Sequence, residues 1–96
     1  MTELMVIARY EIAPGNEAQV HALLPRLAAA SREEPGCLAF DVFVGIDDPR
    51  RVALLERYDS RESFVAHRET EHFQRLVLDG YVPLLASRTI EEYDAE

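Results

Sequence analysis

Residues 37–58, CLAFDVFVGIDDPRRVALLERY, decide the fold. Two runs rich in β-branched and aromatic residues, 37–45 and Arg51–Tyr58, flank Asp47-Asp48-Pro49-Arg50. Asp and Pro favour turns. So short a connection joins antiparallel neighbours, which predicts a β-hairpin. Side chains alternate across a strand. One face of the first run carries Leu38, Phe40, Val42 and Val44, and the other Cys37, Ala39, Asp41 and Phe43. The second run sets Val52, Leu54, Glu56 and Tyr58 on one face. Its other face carries Ala53 and Leu55, flanked by Arg51 and Arg57.

Outward from the hairpin, residues 4–12 read as a strand, with Val6, Ala8, Tyr10 and Ile12 opposite Met5 and Ile7. Pro14-Gly15-Asn16 ends it. From Glu17 to Arg32, Val20, Leu23, Leu24, Leu27 and Ala30 recur at helical steps. Pro25 falls inside and is expected to bend that helix or remove one of its hydrogen bonds. Pro35-Gly36 closes the segment. After the hairpin, Asp59 followed by Glu62 is a helix-start signal, and Phe64, Val65 and His67 lie on that helix. A further short helix is predicted over 72–78, stopped by Gly80. An apolar connector then leads to a last strand over 87–93, and the acidic end 94–96 is expected to fray. The order βαββααβ places the helices on one face of a four-stranded, mostly antiparallel sheet. That is the ferredoxin-like α+β arrangement, here one domain over 1–96 with a core of about 4–93.

The helices can cover one sheet face, and the other still carries Met5, Ile7, Phe43 and Leu55. An apolar patch of that kind is rarely left to water, so a symmetric homodimer is expected. The net charge of −8 argues against nucleic acid and against an anionic membrane surface. Apolar runs stay below membrane-spanning length. The N-terminal residues Met1-Thr2-Glu3-Leu4 show no secretory pattern, and the single Cys37 permits no intrachain disulfide. A cytoplasmic location follows as the expectation.

Four polar residues stand out as candidates for chemistry: Glu56, Tyr58, His67 and His72. Glu56 interrupts an apolar strand face, where a carboxylate must be paired, hydrogen-bonded or protonated. It reads either as a base or orienter of a histidine, or as half of a structural salt bridge with Arg9 or Arg88. His67 follows Phe64 by three and shares its inward face. A five-residue step turns His72 about 140° away on one helix, so the two histidines converge only if the helix breaks near Thr70-Glu71. Two histidines and a carboxylate match an iron triad in residue type, but their spacing is no metal signature, and His21 is on another helix. No metal is expected. Neither a phosphate-binding glycine loop nor a nucleophile elbow is present, and no cofactor is expected.

The segments Glu34-Pro35-Gly36-Cys37-Leu38-Ala39-Phe40-Asp41-Val42, Leu55-Glu56-Arg57-Tyr58 and Ala66-His67-Arg68-Glu69-Thr70-Glu71-His72-Phe73 resemble, in order and spacing, the antibiotic biosynthesis monooxygenase domain family. The likeness runs over nearly the whole chain. It implies a ferredoxin-like subunit, a dimeric α/β barrel and a pocket between sheet and helices. It also implies oxidation of phenols, quinols or polyketide aromatics by O2 without metal or flavin, the deprotonated substrate itself reducing O2. The antibiotic-tailoring and haem-degrading branches use a pocket Trp and Asn, whereas this chain has no Trp and its one Asn is Asn16. Its pattern is nearer to the quinol-monooxygenase-like branch and to a branch that isomerises a phosphorylated autoinducer.

The expected function is therefore cofactor-independent monooxygenation of a small phenolic, quinol or polyketide-type aromatic, with that molecule and O2 as partners. His67 or His72 would be the base, Glu56 its orienter and Tyr58 a hydrogen-bond partner for substrate oxygen. Phe40, Phe64 and Phe73 would form the apolar lining. An isomerase using the same residues for enolisation is the second expectation. A non-catalytic small-molecule-binding or stress protein is the third.

Overall fold

The computed structural model describes residues 2–95; Met1 and Glu96, which entered the readings of the two ends, lie outside the described residues. The order is β1 (Glu3–Ile12), α1 (Glu17–Arg32), β2 (Cys37–Val44), β3 (Arg51–Tyr58), α2 (Arg61–Arg68), a π-wound helix α3 (Phe73–Tyr81), one 3-10 turn (Val82–Leu84) and β4 (Leu85–Ala95). The sheet order is β2-β3-β1-β4, and all three pairings are antiparallel. This is the expected ferredoxin-like βαββααβ fold. Among the described residues no helix is long and apolar enough to cross a membrane.

Alternation does what the sequence pattern predicts in the central strands. Leu4, Val6, Ala8, Tyr10 and Ile12 of β1 are buried with Val52, Leu54, Glu56 and Tyr58 of β3. The core has two parts, one under α1 and α3 and a smaller one of Leu4, Val6, Tyr58 and Phe64 under α2. Burying such side chains supplies roughly 1.5–3 kcal/mol each, which is what holds the helices on the sheet.

Several local expectations are corrected. A register shift between Cys37 and Ala39 leaves Leu38 as the extra residue, so Cys37 pairs with Tyr58 and faces the helices while Leu38 is exposed. A bulge breaks the period of two at that point. Ser60, not Asp59, caps α2, its side chain accepting from the Ser63 backbone N–H. Gly80 does not stop α3 but lies inside it. A Cβ there would sit 2.9 Å from the Arg75 carbonyl oxygen and 3.2 Å from Leu23, so glycine permits the wide turn and its approach to α1. Pro25 lies inside α1 on the exposed side, where water can serve the carbonyl it leaves unpaired. β4 continues to Ala95, beyond the expected strand end at 93, and Asp94 bonds Arg61 at 2.9 Å.

Candidate active site

β3 carries Glu56 and Tyr58 to the helix-covered face, two residues apart. The Tyr58 hydroxyl donates to Glu56 Oε1 at 2.5 Å. Glu56 is 4% exposed. Burial pushes its carboxyl up to about 7; the Tyr58 hydrogen bond works against that, and the charge of Glu34 works with it. Tyr58 is pushed up by burial and by Glu56, so it remains a donor. The salt bridge considered for Glu56 is not formed: Arg9 pairs with Glu91 instead, and Arg88 makes no ion pair among the described residues.

α2 turns Phe64 and His67 inward because they are three residues apart. The His67 ring is 2% exposed and packs among Phe40, Tyr58, Phe64 and Phe73, with centroids 5.2 to 6.2 Å away. That burial lowers its pKa, opposed by Glu34. His67 Nδ1 lies 2.9 Å from Glu34 Oε2 and 3.0 Å from Oε1. The carboxylate thus assigns the ring hydrogen to Nδ1. The lone pair on Nε2 then faces Glu56 Oε1, 3.9 Å away.

The chain does break after α2, as convergence of the histidines requires. Thr70 Oγ1 donates to the His67 carbonyl at 2.8 Å and accepts from Phe73 N–H at 3.2 Å, ending one helix and starting the next. His72 Nε2 is thereby placed 2.5 Å from Glu34 Oε2. Glu34, His67 and His72 each offer one atom within 4.8 Å of the others. Two imidazoles and a carboxylate suit a divalent transition metal in type, yet here the three groups already satisfy one another by hydrogen bonds.

Glu34 was not among the expected site residues. Its signal was the Pro35-Gly36 turn that follows it. Gly36 has φ +87°, and a Cβ there would lie 2.2 Å from Ser63 Oγ. Asp59 N–H donates to the Gly36 carbonyl at 2.8 Å. This close tie clamps the loop bearing Glu34 against the start of α2.

A cavity of about 140 Å³ opens between the sheet and α2–α3. Glu56 and His67 line it, with Phe64 and Phe73 from the helices. Val6, Ala8, Tyr10, Val77, Ile90 and the charged Arg68, Arg88 and Glu92 complete the wall, none of them among the site residues expected from sequence. Tyr58 and Phe40 stand behind this wall, Tyr58 bonded to Glu56 and Phe40 against His67. His72 borders a separate surface cleft with Arg26, Glu71 and Arg75. The buried acid at the cavity surface can exchange a proton with a bound hydroxyl. The Glu34–His67 pair fixes the imidazole beside it.

Residues 3–77 match the antibiotic biosynthesis monooxygenase family. Rv0793 of Mycobacterium tuberculosis is 35% identical over 68 residues, which is 71% of this chain and 66% of that protein, just under two thirds of its length. The crystal structure of PA3566 from Pseudomonas aeruginosa superposes with a TM-score of 0.92 at 30% identity, covering 100% of this chain and 96% of that one. A crystallised antibiotic biosynthesis monooxygenase gives 0.90 at 35% identity, covering 97% and 98%. With the family pattern spanning most of the chain and the fold shared end to end, this protein belongs to the antibiotic biosynthesis monooxygenase family.

Proposed function

We propose that the protein is a cofactor-independent monooxygenase of a small, single-ring phenol or quinol, with Glu56 as the base. Glu56 is the buried carboxylate on the cavity wall, and burial brings it to about 7. An acid tuned there is half ionised at neutral pH and strong enough to accept a phenolic proton. Tyr58 holds Oε1 from behind, leaving Oε2 for the substrate hydroxyl. His67, fixed by Glu34, stands next to the reacting oxygen as a neutral partner.

Deprotonation makes the ring a reductant for O2. A quinol plus O2 then gives the hydroxyquinone plus water, one oxygen atom going to each product. The apolar walls exclude water from the intermediate. Size favours one ring: the cavity measures about 140 Å³, and an apolar cavity of about 150 Å³ accommodates benzene. The active form is a homodimer formed through the outer sheet face. His72, which borders another cleft, serves Glu34 and not the substrate.

Oxygen uptake with a panel of single-ring phenols and quinols, on chelator-treated protein, tests the reading. Glu56→Gln should lower turnover by roughly 10²–10⁴-fold, the usual contribution of a general base. Turnover surviving that change, or appearing only with added metal, would overturn it.

A further inference from the structure

All ten cations of the chain are arginines. Among the described residues, Arg9, Arg32, Arg50, Arg57, Arg61 and Arg75 lie against carboxylates. Arg26, Arg51, Arg68 and Arg88 do not, and of these Arg68 and Arg88 line the cavity that holds Glu56 and His67. In a chain of net charge −8, acids to pair with are plentiful, so two unpaired guanidinium groups on one cavity call for an explanation.

Each is placed for binding. The Arg68 guanidinium lies over the Phe64 ring, 4.7 Å from its centroid. Stacking fixes the plane of the group and leaves its edge N–H donors free. Arg88 faces Tyr10 across the β1–β4 ladder, and its charge reaches the buried Tyr10–Tyr81 hydroxyl pair. The acids on the wall are engaged elsewhere. Glu92 bonds Arg61 at 2.9 Å, and Glu56 accepts from Tyr58 at 2.5 Å.

We infer that the cavity takes a small ring bearing an anionic group, a carboxylate or a phosphate ester, which Arg68 and Arg88 hold at the mouth. The ring then lies between Phe64, Phe73, Val77 and Ile90, and its hydroxyl reaches Glu56. This inference rests on the cavity being the substrate site and narrows the phenol to a hydroxylated aromatic anion. Arginine suits it because a planar fork binds carboxylate and phosphate bidentately.

Calorimetric titration of the wild-type protein with 4-hydroxybenzoate, 4-hydroxyphenyl phosphate and the neutral 4-hydroxybenzamide tests it. At least one anion should bind about tenfold or more tightly than the amide, since charge-assisted hydrogen bonds are the strong ones. That advantage should shrink as salt is added. Arg88→Gln should bring the anions down towards the amide's affinity, and Arg68→Gln should do so in part. The carboxylate–phosphate comparison identifies the preferred anion. An amide that binds as tightly as both anions overturns the inference. So does an advantage that survives Arg88→Gln, or the failure of all three to bind at millimolar concentration. Binding is read here without oxygen turnover. A protein that prefers the anions through Arg88 but consumes no O2 keeps this site and loses the monooxygenase reading.

Discussion

The His67 imidazole meets the Glu34 carboxylate at 2.9 Å although 33 positions separate them. The contact joins the loop after α1 to the inner face of α2, and it decides which His67 nitrogen carries the hydrogen. Glu34→Ala should therefore leave a buried N–H unpaired at a cost of about 1–3 kcal/mol, read by urea unfolding. Glu34→Gln retains an acceptor and should lose less. Nitrogen NMR of the imidazoles should show one Nδ1–H tautomer for His67 in the wild type and a mixture in Glu34→Ala. An unchanged spectrum would mean that packing alone orients the ring.

Glu56 makes stability depend on pH with a defined sign. Its carboxyl is raised from 4.5 to about 7 in the folded state. Between those values the folded chain keeps a proton that the unfolded chain has lost, so stability falls as pH rises through that window. The full effect is roughly 3 kcal/mol. His67, whose pKa is lowered by burial, contributes the opposite slope below the ordinary histidine range. The difference between wild type and Glu56→Gln isolates the Glu56 part. Unfolding free energies measured at pH 5 and pH 8 should fall for the wild type relative to Glu56→Gln. Parallel pH curves for the two would show that Glu56 is ionised throughout.

Tyr10 and Tyr81 share a buried hydroxyl–hydroxyl hydrogen bond of 2.8 Å. Removing one hydroxyl strands the other, and Tyr81 is 0% exposed. Tyr10→Phe should thus destabilise by about 1–2 kcal/mol, and adding Tyr81→Phe should recover part of that loss. A strictly additive double variant would deny the coupling.

The outer sheet face sets exposed Phe43 and half-buried Met5, Ile7 and Leu55 between the charged pairs Glu3–Arg57 and Arg9–Glu91. An apolar centre with a polar rim is the anatomy of an interface. Sedimentation at micromolar concentration should show a dimer, and Phe43→Asp should shift it towards monomer. A wild type that sediments as a monomer would remove the second copy from the account of the site.

The sequence alone determined the fold class, the hairpin and the inward placement of Glu56, Tyr58 and His67. Strand and helix periodicities are local and repeat over several residues, so single exceptions do not hide them. It also determined that His72 could reach His67's neighbourhood only through a helix break, because that angle follows from helix geometry. Its local failures came where one residue altered the period or the turn. Leu38 became a bulge and exchanged faces with Cys37, and Gly80 was used for close approach and not for termination.

Tertiary structure alone decided the wiring of the site. Glu34 is one acid among many in the sequence, and only the clamp of Gly36 against Ser63 and Asp59 brings it onto both histidines. Arg68 and Arg88 look like any surface arginines until α2 and β4 are seen to border one cavity. Whether a carboxylate orients a ring, or a guanidinium is left without a partner, depends on contacts between segments far apart in the chain. Local periodicity does not encode those contacts, and burial at the junction is what gives Glu56 its tuned proton.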